Sequence, residues 1–451
     1  MTISGRIAAW AHGLTLSDVP ADVRHIAKRC VIDTIGVIIA GAATEPGRKA
    51  LALASDVYAG GPCAVPGTGA KLSPAGAALA AGTQAHALDF DDTSYTGIMH
   101  GSAVSLPAVL GLAQKSGRSG EEFLCDFIAA VEATYAVAMM CSTRQYYDGW
   151  WTSATFGVPG AAAGAGRACG LSEAQINQAI GIATVQASGM KAMFGTDTKP
   201  FLAGRAAALA AESALAVHHG LTGPVVAFEE HRGYLKLINH GEADLAELDL
   251  LGSTWRLKEP GILFKPYPIC SAGHAGAELA GRLAEENGLT PDDIASVVCH
   301  VPEVVEVSLV YDDPQTPQQA QFSMPFAVAC VLVNGTIAPE HISEATLKDP
   351  VIAAQMAKVS MERDEALAAD PSTPEGARVV VTTTDGQEFS GILAEPTGMP
   401  GNPLSDEALG AKFLSCCAFA GMPDEWAKEL LERLWEIEGQ ASIADLLPLK
   451  V

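Results

Sequence analysis

Positive charge is scarce in this sequence: 28 Lys and Arg stand against 52 Asp and Glu in 451 residues, a formal net charge of −24. A chain this acidic repels phosphate backbones and anionic head groups, so nucleic acid and membrane surfaces are not expected partners. Any cation that binds an anionic ligand therefore has to be gathered locally. Aromatic residues make up only 6%, so a cluster of them stands out. The ten cysteines include no CxxC pair, and the adjacent Cys416-Cys417 fits neither a zinc nor an iron–sulfur spacing. They read as reduced thiols of a cytoplasmic protein, most of them core residues. No signal-like apolar core follows Met1, and residues 31–41 are interrupted by Asp33 and too short to span a bilayer. GxSxG, HExxH and Walker motifs are missing, and residues 160–170 have no GxGxxG after a strand, which excludes nucleotide binding.

What is present is a long chain with 49% hydrophobic content, enough for a large core and, by length, about two to three domains. Val23, Ile26, Ala27, Cys30, Val31, Ile35 and Ile38 form a helical stripe, and further alanine-rich helical patterns cover 120–140, 159–168, 172–188 and 201–219. Strand signals are almost absent before residue 250. After it, residues 294–301 alternate as a strand, and 377–384 and 388–393 flank Asp385-Gly386 as a hairpin. The expected fold is mainly α with an α+β part. An all-helical domain spans 1–254 and is completed by C-terminal helices in 396–451; an α+β lid spans 255–395.

Chemistry-bearing residues concentrate between His86 and Ser102, where Asp89, Asp91, Asp92, Thr93 and His100 lie at a junction between two helices. Ser73-Pro74 starts the first helix, and Ser102 is the expected cap of the second. His100, between Gly97 and Gly101, suits proton transfer near neutral pH. Lys199 is expected in a loop just before a long helix, where amide groups favour an anion. Lys265, Cys270 and His274 share a Pro- and Gly-punctuated helix entrance, and Tyr146 lies in the densest aromatic cluster, 144–151, where a nearby cation would lower its pKa. His86, Asp89, Asp91, Asp92 and His100 have no tidy metal-ligand spacing, so no metal is expected.

These residues fall in stretches that resemble signatures of the MmgE/PrpD family, in order and over essentially the whole length: Cys30-Val-Ile-Asp-Thr-Ile-Gly-Val-Ile-Ile-Ala-Gly41, His86-Ala-Leu-Asp-Phe-Asp-Asp-Thr93, Thr198-Lys-Pro200, Lys265-Pro-Tyr-Pro268 and Phe322-Ser-Met-Pro-Phe326. The resemblance implies a helical body, an α+β lid, a homodimer, and a cofactor-free site between the domains for small di- or tricarboxylates. The family's site positions match Asp89, Thr93, His100, Lys199 and Lys265. Trp151 and Cys270 stand where decarboxylase-type members have histidines, Phe326 where they have tyrosine, and the step from Thr93 to His100 is one residue longer. Fewer polar groups favour simpler chemistry, and the sequence is most similar to members that epimerise iminodisuccinate. The expected activity is thus an isomerase: cofactor-independent epimerisation of an N-substituted aspartate-type dicarboxylate. Lys199 and Tyr146 form the catalytic pair, His100 is the alternative base, and Asp89, Thr93, Lys265, Cys270 and His274 bind substrate. The alternatives are a hydro-lyase of the 2-methylcitrate dehydratase or cis-aconitate decarboxylase type, and a non-catalytic acid-binding helical dimer.

Overall fold

The computed structural model describes residues 1–368 and 374–446. It is mainly α with a smaller α+β part. Helices Ala21–Ala42, Pro74–His86, Gly101–Ser116, Gly120–Cys141, Gly157–Ala168 and Thr198–His218 form the centre of the body. Their small residues allow close packing: at the crossing of Pro74–His86 with Thr198–His218, a side chain on Gly204 would collide with the Leu79 carbonyl and with Thr83. Gly120–Cys141 and Thr198–His218 are long and apolar enough to cross a bilayer, and here both are largely buried in the body. The C-terminal helices Asp406–Phe419 and Asp424–Trp435 return to this body, placing Leu409, Phe413, Leu430 and Leu434 in the same core as Ile32 and Ile35.

The α+β part holds a four-stranded sheet in the order Val359–Arg363, Ile294–Val301, Ala377–Thr383, Glu388–Leu393; the first pair is parallel and the others antiparallel. Val297, Cys299, Val379 and Val381 alternate onto one buried face, covered by Leu279 and Leu283 of helix His274–Glu286.

Several boundaries differ from expectation. Helix Glu173–Thr184 stops earlier than the apolar pattern. The second junction helix begins at Gly101 with His100 as its N-cap, and Ser102 instead donates its hydroxyl to Asp92. Helix Thr198–His218 starts before Pro200, so Lys199 sits in its first turn and not in a preceding loop. Proline is tolerated there because the first-turn amides have no intrahelical partner. Two short elements also escaped the sequence reading, the hairpin Gly60–Ala64 with Lys71–Leu72 and the strand Val359–Arg363.

Candidate active site

Helices Pro74–His86 and Thr198–His218 run antiparallel through the glycine crossing, so the end of one meets the start of the other and Lys199 Nζ lies 2.6 Å from His86 Nε2. The chain then turns at Asp89, which takes a left-handed φ of 48°, a conformation Asp tolerates better than most residues. Farther along, Thr93 and Leu263 exchange backbone hydrogen bonds of 3.0 and 2.9 Å. That bridge sets Lys265, two residues after Leu263, beneath Asp89. Lys265 Nζ donates to the Asp89 carbonyl at 2.8 Å and also to its carboxylate, while Lys199 Nζ donates to Asp89 Oδ2 at 2.6 Å.

Donor and acceptor counting fixes most protons. Lys199 brings only N–H donors, so His86 Nε2 must accept, and His86 carries its proton on Nδ1 and gives it to Asp91 at 2.8 Å. His100 Nδ1 lies 3.0 Å from Asp91 Oδ2, and its Nε2 is 4.0 Å from Asp89 Oδ1. His100 thus leaves Nε2 without a close partner at the edge of the cluster. Its side chain is 14% exposed, whereas those of Asp89, Lys199 and Lys265 are 2, 5 and 0% exposed. The rings of His86 and Trp151 are 5.5 Å apart, and Lys199 Nζ sits 4.9 Å from the Phe322 ring centroid.

Burial alone would raise the carboxyls of Asp89 and Asp91, but the Lys199 and Lys265 ammoniums beside Asp89, and His86 and His100 beside Asp91, hold both well below the usual range. Burial likewise opposes the charge on Lys265, yet Asp89 and Asp91 raise its pKa. His100 is pushed down to about 4, chiefly by burial and against the pull of Asp91, so it is a neutral imidazole at neutral pH. The inner charges are balanced: two carboxylates against two ammoniums.

The other candidates divide. Cys270 belongs to this neighbourhood, but burial, with Asp89 and Glu375, pushes its thiol up to about 12, so it stays protonated. His274 is fully buried, with Nε2 3.4 Å from the Ile269 carbonyl, and burial lowers it to about 3. The Thr93 hydroxyl is committed to the Met99 carbonyl at 3.0 Å. Tyr146 reverses the expectation: burial raises its phenol, because the cation nearby, Lys191, lies over the ring and not at the hydroxyl, which pairs with Ser308 at 2.6 Å. With Lys191 over its ring and Ser308 at its hydroxyl, Tyr146 has no cation placed to hold a phenolate. Phe326 is core, packed with Ile269 and Ala277.

Three groups given no role in the sequence reading belong here: His86 and Asp91, which stand inside the quoted motif, and Glu375, which no local signal marks. Glu375 accepts from Tyr95 at 2.6 Å and from Ser271 at 3.2 Å, joining the body to the α+β part beside Cys270. One atom each from His86, Asp89, Asp91 and His100 lies within 4.8 Å of the others, a grouping the sequence spacing did not suggest. It does not fit a resident metal: both Asp89 oxygens face ammoniums, both His86 nitrogens are engaged, and a divalent cation would enter beside two positive charges.

A buried cluster of carboxylate, lysine and histidine thus lies at the seam between a helical body and an α+β part, and these are residue types suited to acid–base chemistry. The MmgE/PrpD N-terminal domain matches residues 5–246 and the MmgE/PrpD C-terminal domain residues 267–437; the chain belongs to the MmgE/PrpD family. It is 25% identical over 478 residues to the cis-aconitate decarboxylase-like protein oryM of Aspergillus oryzae, covering 99% of this chain and 97% of that protein. It is 26% identical to the cis-aconitate decarboxylase of Mus musculus, covering 91% and 86%, and 25% identical to that of Aspergillus terreus, covering 99% and 95%.

Proposed function

We propose that the protein is a cofactor-independent lyase that removes carbon dioxide or water from a small di- or tricarboxylate. The observation that carries this reading is the buried Asp89–Lys199–Lys265 centre with a neutral His100 at its rim. Loss of either group from a carbon next to a carboxylate passes through an enolate-like anion. The ammoniums of Lys199 and Lys265 are pre-placed to stabilise it, each such contact being worth on the order of 3 kcal/mol in a water-excluded site. His100 moves the proton, a role typically worth about 10²- to 10⁴-fold. A polyanion bound beside it raises its proton affinity, so a weak resting base gains a proton when the substrate needs one. The relatives named as cis-aconitate decarboxylases support the lyase over the isomerase.

The epimerase remains the second reading because Trp151 and Cys270 supply no acid or base beside the centre. Inversion, however, calls for proton transfer on two faces, and with Tyr146 held neutral against Ser308 the second base is missing from the expected pair. Incubation with cis-aconitate, 2-methylcitrate and iminodisuccinate in deuterated water, followed by NMR, separates the readings. The expected result is either release of carbon dioxide with one solvent deuteron at the carbon that lost it, or release of water from 2-methylcitrate to give an alkene that takes up no deuterium. Inversion and labelling of iminodisuccinate with no fragment lost would establish the epimerase instead. Tight binding without any product would leave the acid-binding protein.

A further inference from the structure

The inner centre has no spare positive charge, since Asp89 and Asp91 already match Lys199 and Lys265. A polycarboxylate entering a chain of net charge −24 needs another cation. Lys191 opens the short turn Lys191–Met193, in the same segment that leads into Lys199. Its backbone N–H donates to the Gly149 carbonyl at 2.9 Å, and Trp151 N–H donates to Gly189 at 3.0 Å, so the two segments are paired. This pairing sets Lys191 alongside both Trp151, which packs on His86, and Tyr146, whose hydroxyl crosses the seam to Ser308. The Lys191 side chain is half-buried and has no acidic partner among the described residues; Nζ lies 3.7 Å from the Tyr146 ring centroid. A ring face holds an ammonium more weakly than a carboxylate does. Burial without a counter-ion lowers its pKa, as expected of a cation waiting for an anion.

We propose that Lys191 is a substrate-recognition residue that binds the outer carboxylate of a di- or tricarboxylate whose reacting end lies against Lys199 and His100. The inference rests on the functional reading above and names the residue that selects for a second or third carboxylate. The test is calorimetry with propane-1,2,3-tricarboxylate, which has no hydroxyl to lose and no double bond to take up the electrons of a departing carboxylate, and with butyrate as a monocarboxylate. Lys191→Met is expected to weaken the tricarboxylate about tenfold or more and butyrate less than about twofold, while Lys191→Arg stays within about threefold of wild type. In turnover, Lys191→Met is expected to raise KM with kcat nearly unchanged. Equal tricarboxylate binding by wild type and Lys191→Met overturns this inference alone. A fall in kcat at constant KM overturns it too, because Lys191 would then act through Tyr146. Failure of wild type to bind the tricarboxylate overturns the functional reading and this inference together.

Discussion

Asp91 and Asp92 are consecutive, both are fully buried, and their surroundings differ in sign. Asp91 faces forward, against His86 and His100, and is held ionised. Asp92 faces backward, where it receives the Ser102 hydroxyl and lies beside Cys30 and the carboxylate of Asp33. Burial, and then the charge of Asp33, pushes Asp92 up to about 7. The cation paired directly with this rear pocket is Lys412, from the C-terminal helix Asp406–Phe419, which lies 2.7 Å from Asp33 and donates to the Phe90 carbonyl at 2.7 Å, with Arg29 acting on Asp33 from farther off. The front thus holds as many ammoniums as carboxylates, both ammoniums on Asp89 and two imidazoles on Asp91, and leaves His100 Nε2 unpaired. The rear pairs only Asp33 directly with a cation, retains a proton on Asp92, and clamps the backbone between Asp89 and Asp91. A single loop separates chemistry from support by the direction its side chains take.

The largest expected effect comes from breaking the front. Asp89→Asn would leave Lys199 and Lys265 buried against a neutral amide, and removing one partner of a buried ion pair costs about 3–5 kcal/mol. Urea unfolding should register that loss and turnover should vanish; wild-type stability would show that the lysines are not neutralised by Asp89. Lys412→Met should cost about 3 kcal/mol by the same reasoning at the rear, because Asp33 loses its cation. Its kcat, measured where the variant is folded, should fall far less than that of Asp89→Asn. Equal losses of kcat would erase the distinction between the two pockets.

Asp92→Asn sharpens the comparison because its sign is opposite. The folded pKa of Asp92 is raised to about 7 from an ordinary value of 3.8, so between these values the folded protein keeps a proton that the unfolded chain has released. Its stabilising contribution is complete below about pH 4, falls as pH rises toward 7, and is lost above it. Asparagine cannot ionise and still accepts from Ser102. The variant should therefore gain on wild type across pH 4–7, by up to a few kcal/mol, and the gain should level off above pH 7. A pH-independent difference would mean that Asp92 is ionised in the fold throughout.

Much of this organisation was legible in the sequence. Residues 294–301 alternated because one sheet face is buried, and Asp385-Gly386 marked a hairpin because Gly386 supplies a positive φ of 87°. Strand Val359–Arg363 escaped because it lies at the sheet edge with most side chains partly or fully exposed, which leaves no clean period. Lys199 stands out in the sequence but lies inside its helix and not in the loop that Pro200 suggests, because proline fits a first helical turn. His86 and Asp91 were visible as residues and not as roles: the proton arrangement closes only through Lys199, 113 positions from His86. Glu375 lies 280 positions from Tyr95 in a segment with no motif, so only the fold brings it to the seam. At Tyr146 the sequence shows a nearby cation but not its placement: Lys191 lies over the ring face and leaves the hydroxyl untouched.

Tyr146→Phe carries the smallest expected effect and decides whether Tyr146 belongs to the front at all. The substitution deletes one hydroxyl whose partner, Ser308, already donates to the Val304 carbonyl at 2.6 Å, so little is left unpaired. A neutral hydrogen bond of this kind contributes about 1 kcal/mol. Phenylalanine keeps the ring face under Lys191, so polycarboxylate recognition should persist. Turnover should drop by less than about tenfold, with no change in the pH at which activity begins, because the group that titrates is His100. A loss of about 10³-fold or more, together with retained solvent exchange on one face of iminodisuccinate only, would place Tyr146 among the reacting groups. It would then restore the two-base epimerase, with Lys199 on one face and Tyr146 on the other. A small loss with intact fragmentation of a tricarboxylate leaves His100 as the mobile base and Lys199 as the fixed charge that the intermediate requires.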